Sequence, residues 1–326
     1  MQVLSLSLYS SPHSSLYRSP DTSSQPSLPC SSRSLFPSSL REVLITGGLA
    51  PSIDLPCGAS SAYAHLVYRV IAQNEKLYRR FPSLKATVSR VVRYILDHDG
   101  PVVTPAGNTL SVRLLQSLGL PLLGSAGGLE RMFFLFDQAF VRAPGTKEPS
   151  ALSHTFLKEV DALIPFDTNP LYFLLHEQCY AQTGGQTAWA AERELQSDAW
   201  RDTFDAARAV AEGREVLFTG EMIFPFMLDD VRALRPVKAL AEELARRSDW
   251  GRLYDPDVLA RNVVPCAATA YYEDMYVDAT LATETAKRVQ GIRVWVTNTY
   301  THGGLREEAR VFERLLQMAR NEIPEF

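Results

Sequence analysis

The sequence predicts an α/β fold whose parallel strands lie mainly in the C-terminal part of the chain. A short buried strand is expected at 42–46, where an apolar run closes in two glycines. Two further apolar strands are expected at 263–271 and 292–298, with a helical pattern at 279–289 between them. An amphipathic helix follows the last strand, and this succession of strand, helix, strand and helix is typical of a parallel sheet.

Residues 1–39 differ in composition from the rest of the chain. Fifteen of these 39 residues are serine, five are proline, and Asp21 is the only acidic residue. Such a segment buries too little apolar surface to offset the entropy of ordering it, so we predict that it is disordered. Its composition is partly that of an organellar transit peptide, but it lacks an Arg-rich amphipathic helix. An unstructured N-terminal segment is therefore the preferred interpretation.

A mainly helical domain is predicted over 57–254, between the two segments 40–56 and 255–326 that supply the strands. Apolar residues recur every three or four positions within 63–71 and within 88–96, which is the spacing of one helix face. Further helices are expected at 127–140, 151–163, 170–182 and 236–247. The helical domain therefore reads as an insertion between the first strand and the two later ones.

Composition and charge exclude several classes of protein. Hydrophobic residues make up 46% of the chain and charged residues 21%, which is ordinary for a soluble globular protein. The net charge of -4 favours neither nucleic acid nor an anionic membrane as a partner. The longest apolar runs are far shorter than the roughly 20 residues that span a bilayer. We therefore expect no nucleic-acid or membrane partner.

The four cysteines, at positions 30, 57, 179 and 266, are scattered along the chain. None forms a CxxC pair, and their spacing fits no zinc pattern. In a chain of this length such cysteines favour reduced thiols over a disulfide framework. We therefore expect a cytoplasmic protein.

Two side chains suited to catalysis follow the predicted C-terminal strands. Asp274 follows the first of them and His302 the second. An acid after one parallel strand and a histidine after the next is the order of the last two members of a Ser–acid–His triad. In a triad the carboxylate orients the imidazole, and the imidazole takes the proton of the nucleophile. On spacing alone, a loop acid or helix cap at Asp274 and an exposed turn residue at His302 remain alternatives.

Several strings, in the right order, resemble the larger bacterial and fungal proline iminopeptidases (prolyl aminopeptidases). The resemblance extends from about residue 36 to the C terminus. Its strings are LREVLITGG (40–48), FDTNPLY (166–172), LHEQCYAQ (175–182), FTGEMI (218–223), YYEDMYVD (271–278) and WVTN (295–298).

This resemblance implies a partial α/β-hydrolase fold, with the helical domain as a large inserted cap over the active site. It implies a serine peptidase that releases N-terminal proline from small peptides and needs no metal and no organic cofactor. By resemblance, Asp274 is the triad carboxylate and His302 the triad base. Glu273 and Asp278 are neighbouring alternatives for the carboxylate.

The resemblance further implies that Glu177 and Glu221 bind the free α-amine of the substrate and converge on one cavity. A protonated amine entering a pocket of low dielectric constant needs paired charge, so the chemistry is consistent. The alternatives are a partly solvated helix acid at Glu177 and an acid near a helix N-terminus at Glu221. Tyr172 and other nearby aromatic residues fit either a pyrrolidine pocket or plain core.

An oxyanion segment and a Gly-x-Ser-x-Gly-Gly nucleophile elbow are expected upstream of Leu40 by the same resemblance. Neither occurs in the chain. The resemblance places the nucleophile near Ser23, but no glycine flanks that residue and no strand is predicted before it, so no nucleophile is assigned. We therefore expect the 326-residue chain to be inactive, and we expect an unpaired edge on the strand at 42–46.

Three interpretations stay open. The first is a proline iminopeptidase that lacks its N-terminal part. The second is a non-catalytic relative that acts as a binding or interaction protein. The third is a different α/β-hydrolase, such as an esterase or an epoxide hydrolase. The two candidate amine-binding acids favour the first interpretation over the third.

Overall fold

The structure, a computed structural model, describes residues 5–9, 40–141, 151–164, 166 and 168–323, with only the backbone of 5–9. The described strands are β1 (Ser5–Tyr9), β2 (Leu40–Ile45), β3 (Phe140–Val141), β4 (Ala151–Leu152), β5 (Cys266–Tyr271) and β6 (Ile292–Thr297). The α-helices before residue 200 are α1 (Ala59–Arg80), α2 (Leu84–Asp97), α3 (Val112–Gln116), α4 (Gly119–Leu122), α5 (Gly128–Asp137), α6 (His154–Leu163), α7 (Pro170–Leu175) and α8 (Ala190–Leu195). Those after it are α9 (Arg201–Phe204), α10 (Ala206–Ala211), α11 (Met227–Asp230), α12 (Lys238–Arg246), α13 (Pro256–Leu259), α14 (Ala279–Lys287), α15 (Gly304–Glu307) and α16 (Arg310–Ala319). Short 3₁₀ helices lie at Gln178–Tyr180 and Arg232–Val237.

The chain divides into two compact units. The first comprises Met1–His65, Glu177–Thr187 and Arg246–Phe326, and the second comprises Leu66–His176 and Ala188–Ala245. Residues 57–65, 177–187 and 246–254, which the sequence assigned to the helical domain, thus group with the strands. The role of the helical domain as a cap stays a prediction.

The first unit contains a four-stranded sheet in the order β1-β2-β5-β6. Strand β5 lies between β2 and β6 and pairs parallel to both, with Ala268 opposite Ile45 on one side and Val294 on the other. The predicted α/β fold with parallel strands is thereby confirmed. Since β2 and β5 are separated by more than 200 residues, the helical domain is an insertion in sequence between two neighbouring strands.

Strand β1 lies inside the segment predicted to be disordered, and it corrects that prediction at Ser5–Tyr9. It pairs antiparallel with β2, so that Leu6 lies opposite Leu44. The edge of β2 is therefore paired and not open as expected. The sequence signal was the alternation of leucine and serine at 4–8, which has the two-residue period of a strand. The remainder of the predicted disordered segment, 1–4 and 10–39, lies outside the described residues.

Both faces of the sheet are covered by helices of the first unit. On one face, side chains of β2 and β5 such as Val43 and Ala268 form a core with Ala282 of α14. On the other face, Leu44 of β2 packs with Val311 and Leu315 of α16. All six residues of β5 are buried, as expected for a parallel strand covered on both faces.

The second unit is mainly helical, and buried polar side chains fix its loops. Asn74 in α1 donates to the carbonyls of Val70 and Phe218, both at 2.9 Å, and accepts from the amide of Phe218 at 2.8 Å. Phe218 in turn lies against Phe136 of α5, with ring centroids 5.6 Å apart. One asparagine thus ties a loop without regular structure to the longest helix. No helix within the described residues meets the length and hydropathy needed to cross a bilayer.

Candidate active site

The site centres on a contact between Asp274 and His302 in the first unit. Asp274 follows β5 and His302 follows β6, and the carboxyl ends of these neighbouring parallel strands lie at the same edge of the sheet. His302 Nδ1 and Asp274 Oδ2 are 2.8 Å apart. Both side chains are largely shielded, with 11% of His302 and 1% of Asp274 exposed. The two residues predicted from sequence order are therefore brought within hydrogen-bond distance.

The two oxygens of Asp274 have different partners. Oδ1 accepts the backbone N–H groups of Tyr276 at 2.7 Å and of Val277 at 3.1 Å. Oδ2 is left to face the imidazole. A carboxylate offers only acceptors, so the Nδ1 atom of His302 must carry the hydrogen of this bond. Nε2 of the neutral ring is then the acceptor nitrogen, which is the tautomer a general base requires.

The alternatives for the carboxylate have other surroundings. Asp278 is the N-cap of α14, where its Oδ1 accepts from the amides of Thr280 at 2.9 Å and Leu281 at 3.1 Å. Glu273 is exposed. The sequence also allowed Asp274 to be a loop acid, and one of its oxygens does stabilise a turn. The other oxygen makes the contact with His302, so one side chain makes both kinds of contact.

The loop that carries His302 rests on Tyr271, the last residue of β5. A Cβ atom on Gly304 would lie 2.5 Å from the Tyr271 hydroxyl, so only glycine allows this approach. That hydroxyl donates to the carbonyl of Thr46 at 2.8 Å, and burial raises the pKa of Tyr271. The tyrosine therefore stays protonated and keeps donating this hydrogen bond. Its side chain supports the loop that carries His302. Sequence reasoning missed this contact, although the glycine pair after His302 is a signal of close approach.

The carboxylate of Glu221 lies in the second unit, where its neighbours hold both its side chain and its backbone. Tyr172 donates its hydroxyl to Glu221 Oε1 at 2.8 Å, and only 5% of Glu221 is exposed. The Nε2 atom of His176 lies 3.2 Å from the backbone carbonyl of Glu221. Burial lowers the pKa of His176, and the charge of Glu221 opposes that shift. Glu221 is thus a buried acid with a fixed position.

Glu177 belongs to the first unit, together with Asp274 and His302. It is 1% exposed and immediately precedes the 3₁₀ helix Gln178–Tyr180. Gln182 anchors the segment that follows it, because its side-chain amide donates to the carbonyls of Ile53 at 2.9 Å and Leu55 at 2.8 Å. Sequence reasoning did not single out Gln182. The predicted convergence of Glu177 and Glu221 stays a prediction, and Ser23 lies outside the described residues.

Comparisons with known proteins show related sequences over most of the chain. Over 283 residues it is 41% identical to a proline iminopeptidase of Aeromonas sobria, a match that covers 86% of this chain and 62% of that protein. The chain is a relative of the proline iminopeptidases. Over 280 residues it is also 31% identical to the proline iminopeptidase aneH of Aspergillus aculeatus, which covers 83% of this chain and 56% of that protein. The resemblance noted from the sequence strings is confirmed.

The chain spans about six-tenths of the length of these curated relatives. No protein-family model matches its sequence. The relation to proline iminopeptidases supports the α/β-hydrolase class for the sheet of the first unit.

Proposed function

We propose that the chain carries the acid–base pair and the amine-binding acids of a serine aminopeptidase for peptides with N-terminal proline. The observation that carries the proposal is the 2.8 Å contact between His302 Nδ1 and Asp274 Oδ2 in a relative of the proline iminopeptidases. The order of the two residues along the chain and their position after neighbouring strands are those of a hydrolase triad.

The chemistry follows from the orientation of the imidazole. Asp274 holds Nδ1–H, so Nε2 of His302 presents a lone pair that accepts the proton of a serine hydroxyl as that oxygen attacks the prolyl carbonyl. The resulting imidazolium is stabilised by the Asp274 carboxylate. It then returns the proton to the nitrogen of the departing amine, and water repeats the cycle to release free proline.

Two buried carboxylates suit the amine of an N-terminal proline. The protonated amine of proline is a secondary ammonium with two N–H donors, so it can give one hydrogen bond to each of two acids. Glu177 and Glu221 are 1% and 5% exposed, and the resemblance to the proline iminopeptidases implies that each binds the free amine of the substrate. We propose that role for each acid, which would restrict cleavage to the first residue of a peptide.

The proposed triad also needs a serine nucleophile, and the sequence offers none in a recognisable motif. The 326 residues contain no Gly-x-Ser-x-Gly string. His302 acts as a base only when a serine hydroxyl lies beside Nε2, and oxyanion donors are needed as well, since loss of one such donor costs roughly 10²–10³ in rate. We therefore propose that the 326-residue chain alone binds an N-terminal proline and does not turn it over.

Calorimetric titration of the 326-residue chain with L-prolinamide tests this proposal. We expect binding that is lost when the ligand is N-acetylated, since acetylation removes the ammonium. Glu221→Gln and Glu177→Gln should each weaken binding by about tenfold or more, the order expected when a buried charge-assisted hydrogen bond is lost. Glu75→Gln, at an exposed acid of the second unit, is the control and should bind like the wild type. Equal binding of N-acetylprolinamide would contradict the proposal.

A further inference from the structure

We propose that two copies of this chain associate through the outer edges of their β6 strands, which pair antiparallel and join the two sheets into one. Strand β6 is the last strand in the sheet order, and its described partner is β5. Val296 is 51% exposed, and Ile292, Val294 and Trp295 are only half-buried although all are apolar. Among the described residues, the outer edge therefore presents both backbone groups without a strand partner and apolar side chains.

The edge of β6 has few of the features that usually protect an open strand. Soluble proteins guard such edges with charged side chains, above all lysine, with proline or with a bulge. The sequence of β6, IRVWVT, contains neither lysine nor proline, and all six residues pair with β5 without a shift in register. Its one charged residue, Arg293, donates to the carbonyl of Met318. The opposite edge strand, β1, does have a register shift, between Leu8 and Tyr9. The edge of β6 is thus built for pairing with another strand.

Hydrogen bonds within the sheet show which backbone groups face outward. The amide of Tyr272, just after β5, donates to the carbonyl of Thr297 at 2.9 Å. Because backbone groups alternate sides along a strand, those of Arg293 and Trp295 also face β5. The N–H and C=O groups of Ile292, Val294 and Val296 therefore point away from the sheet, towards any added strand.

These outward groups select one register for an antiparallel pair of identical strands. With the two-fold axis at Val294, Ile292 of each copy faces Val296 of the other, and Val294 faces its own counterpart. All three outward residues then exchange hydrogen bonds. An axis at Arg293 or at Trp295 would use only two of them. An axis at Arg293 would also set two guanidinium groups directly opposite each other, which is destabilising.

The same register matches the side chains. Arg293 of one protomer lies opposite Trp295 of its partner in a non-hydrogen-bonded pair, where cross-strand side chains come closest. The guanidinium of Arg293 is held by the carbonyls of Met318 and Ile323, so its aliphatic stem is the part that packs beside the indole ring of the partner. The remaining pairs are Ile292 with Val296 and Val294 with itself, all apolar. Self-complementarity under a two-fold axis is the requirement for a symmetric dimer, so a second copy is the occupant that fits this edge.

Helix α16 holds the edge in the required shape. The guanidinium carbon of Arg314 lies 4.3 Å from the centre of the Trp295 ring, and Arg293 Nη1 donates to the carbonyl of Met318 at 2.8 Å. A groove of about 1020 Å³ runs between β6 and α16. The two cross-strand residues are thus already fixed in each protomer, which lowers the entropy lost on association.

The oligomeric state of the 326-residue chain tests this inference. Light scattering across a concentration series should give a species of twice the 36.3 kDa chain mass. Val296→Lys should shift this equilibrium towards monomer by about tenfold or more, because the lysine would face Ile292 of the partner at a closed edge. Leu240→Lys is the matched control, since Leu240 is 49% exposed and belongs to the second unit, whereas β6 belongs to the first. It should dimerise like the wild type.

Hydrogen exchange gives a readout that does not depend on a variant. The amides of Ile292, Val294 and Val296 should exchange more slowly as the concentration rises, whereas those of Arg293 and Trp295 should be protected at every concentration. A wild-type chain that stays monomeric throughout the series would overturn the inference. So would a dimer that Val296→Lys leaves intact.

Discussion

At the residue scale, the candidate site depends on side chains whose separate atoms have separate partners. Asp274 uses one oxygen to hold its own turn and the other to face His302. Tyr172 and His176 hold Glu221 at its carboxylate and at its backbone carbonyl, respectively. These divided contacts fix the orientation of each group before any ligand arrives, which is what a preorganised site requires.

Replacing Asp274 should change the tautomer of His302. In the wild type the carboxylate accepts Nδ1–H, so one neutral tautomer should dominate. Asp274→Asn offers both a donor and an acceptor at the same place, and a substantial fraction of the other tautomer should appear. Ring nitrogen shifts measured by NMR above the titration range of histidine distinguish the two forms. Glu273→Gln, which changes the exposed neighbouring acid, is the control and should leave the nitrogen shifts unchanged. If Asp274→Asn left the ratio of the two tautomers unchanged, the assigned contact would be refuted.

His176 should make the stability of the protein depend on pH near neutrality. Burial lowers the pKa of this histidine in the folded state, whereas the unfolded chain has the ordinary pKa of about 6.5. The unfolded state thus binds a proton more readily, so the free energy of unfolding should fall as the pH drops below about 6.5. One such group gives a slope of at most about 1.4 kcal/mol per pH unit.

Denaturant unfolding at pH 7.5 and pH 5.5 measures this effect, with the wild type compared to His176→Gln. Glutamine keeps a polar group at the position and removes the titration, so the variant should lose less stability between the two pH values. A variant and a wild type with the same pH dependence would show that the burial of His176 has no such consequence.

At the scale of elements, one ion pair joins strand β2 to the C-terminal end of helix α16, which covers one face of the sheet. Glu42 in β2 is 4% exposed and accepts two hydrogen bonds from Arg320, which caps α16, at 3.0 and 2.8 Å. The hydrogen bonds from Arg320 hold the pKa of Glu42 below its usual value, against the opposing effect of burial. This pair links residues 278 positions apart in the sequence.

Glu42→Gln should lower the Tm by about 2–5 °C, because the buried acceptor loses its charge while Arg320 keeps its own. The contribution of the wild-type pair should be present above pH 4.5, the ordinary pKa of a glutamate, and should be lost as the pH falls through the lower pKa of the folded state. Calorimetry at pH 7 and in acid checks both statements. Glu284→Gln, at an exposed acid of α14, is the control; a Tm that responds equally to both changes would argue against the pair.

The sequence predicted those elements whose pattern is local. The strands at 42–46 and 292–298 were found because their apolar runs end at turn residues, and Asp274 and His302 were found because they follow strands in a diagnostic order. The predicted helix at 170–182 instead ends at Leu175, and a 3₁₀ helix begins at Gln178. That break was not visible in the apolar spacing.

Contacts between distant residues were not predictable in the same way. Tyr271 meets Gly304, and Tyr172 meets Glu221, only because the folded backbone brings together segments that carry no shared motif. Strand β1 was missed for a different reason. The serine-rich composition of its surroundings outweighed a five-residue alternation, although pairing with β2 supplies the hydrogen bonds that such a short strand needs.

At the scale of the whole molecule, the proposed catalytic and binding groups lie in a sequence without a Gly-x-Ser-x-Gly string. The pair Asp274 and His302 lies in the first unit with Glu177, and Glu221 lies in the second. Under the proposed function, binding of proline and its release are separable properties, and the 326-residue chain binds the substrate and leaves it intact.

One NMR experiment on L-prolinamide with the 326-residue chain follows both properties in the same sample. Saturation transfer from the protein to the pyrrolidine protons reports binding, and the appearance of free proline over time reports hydrolysis. We expect saturation transfer that Glu221→Gln greatly weakens, and we expect no release of proline. Absence of saturation transfer would contradict the assigned binding site. Steady release of proline, abolished by Ser23→Ala, would contradict the account of the nucleophile and make Ser23 the attacking residue.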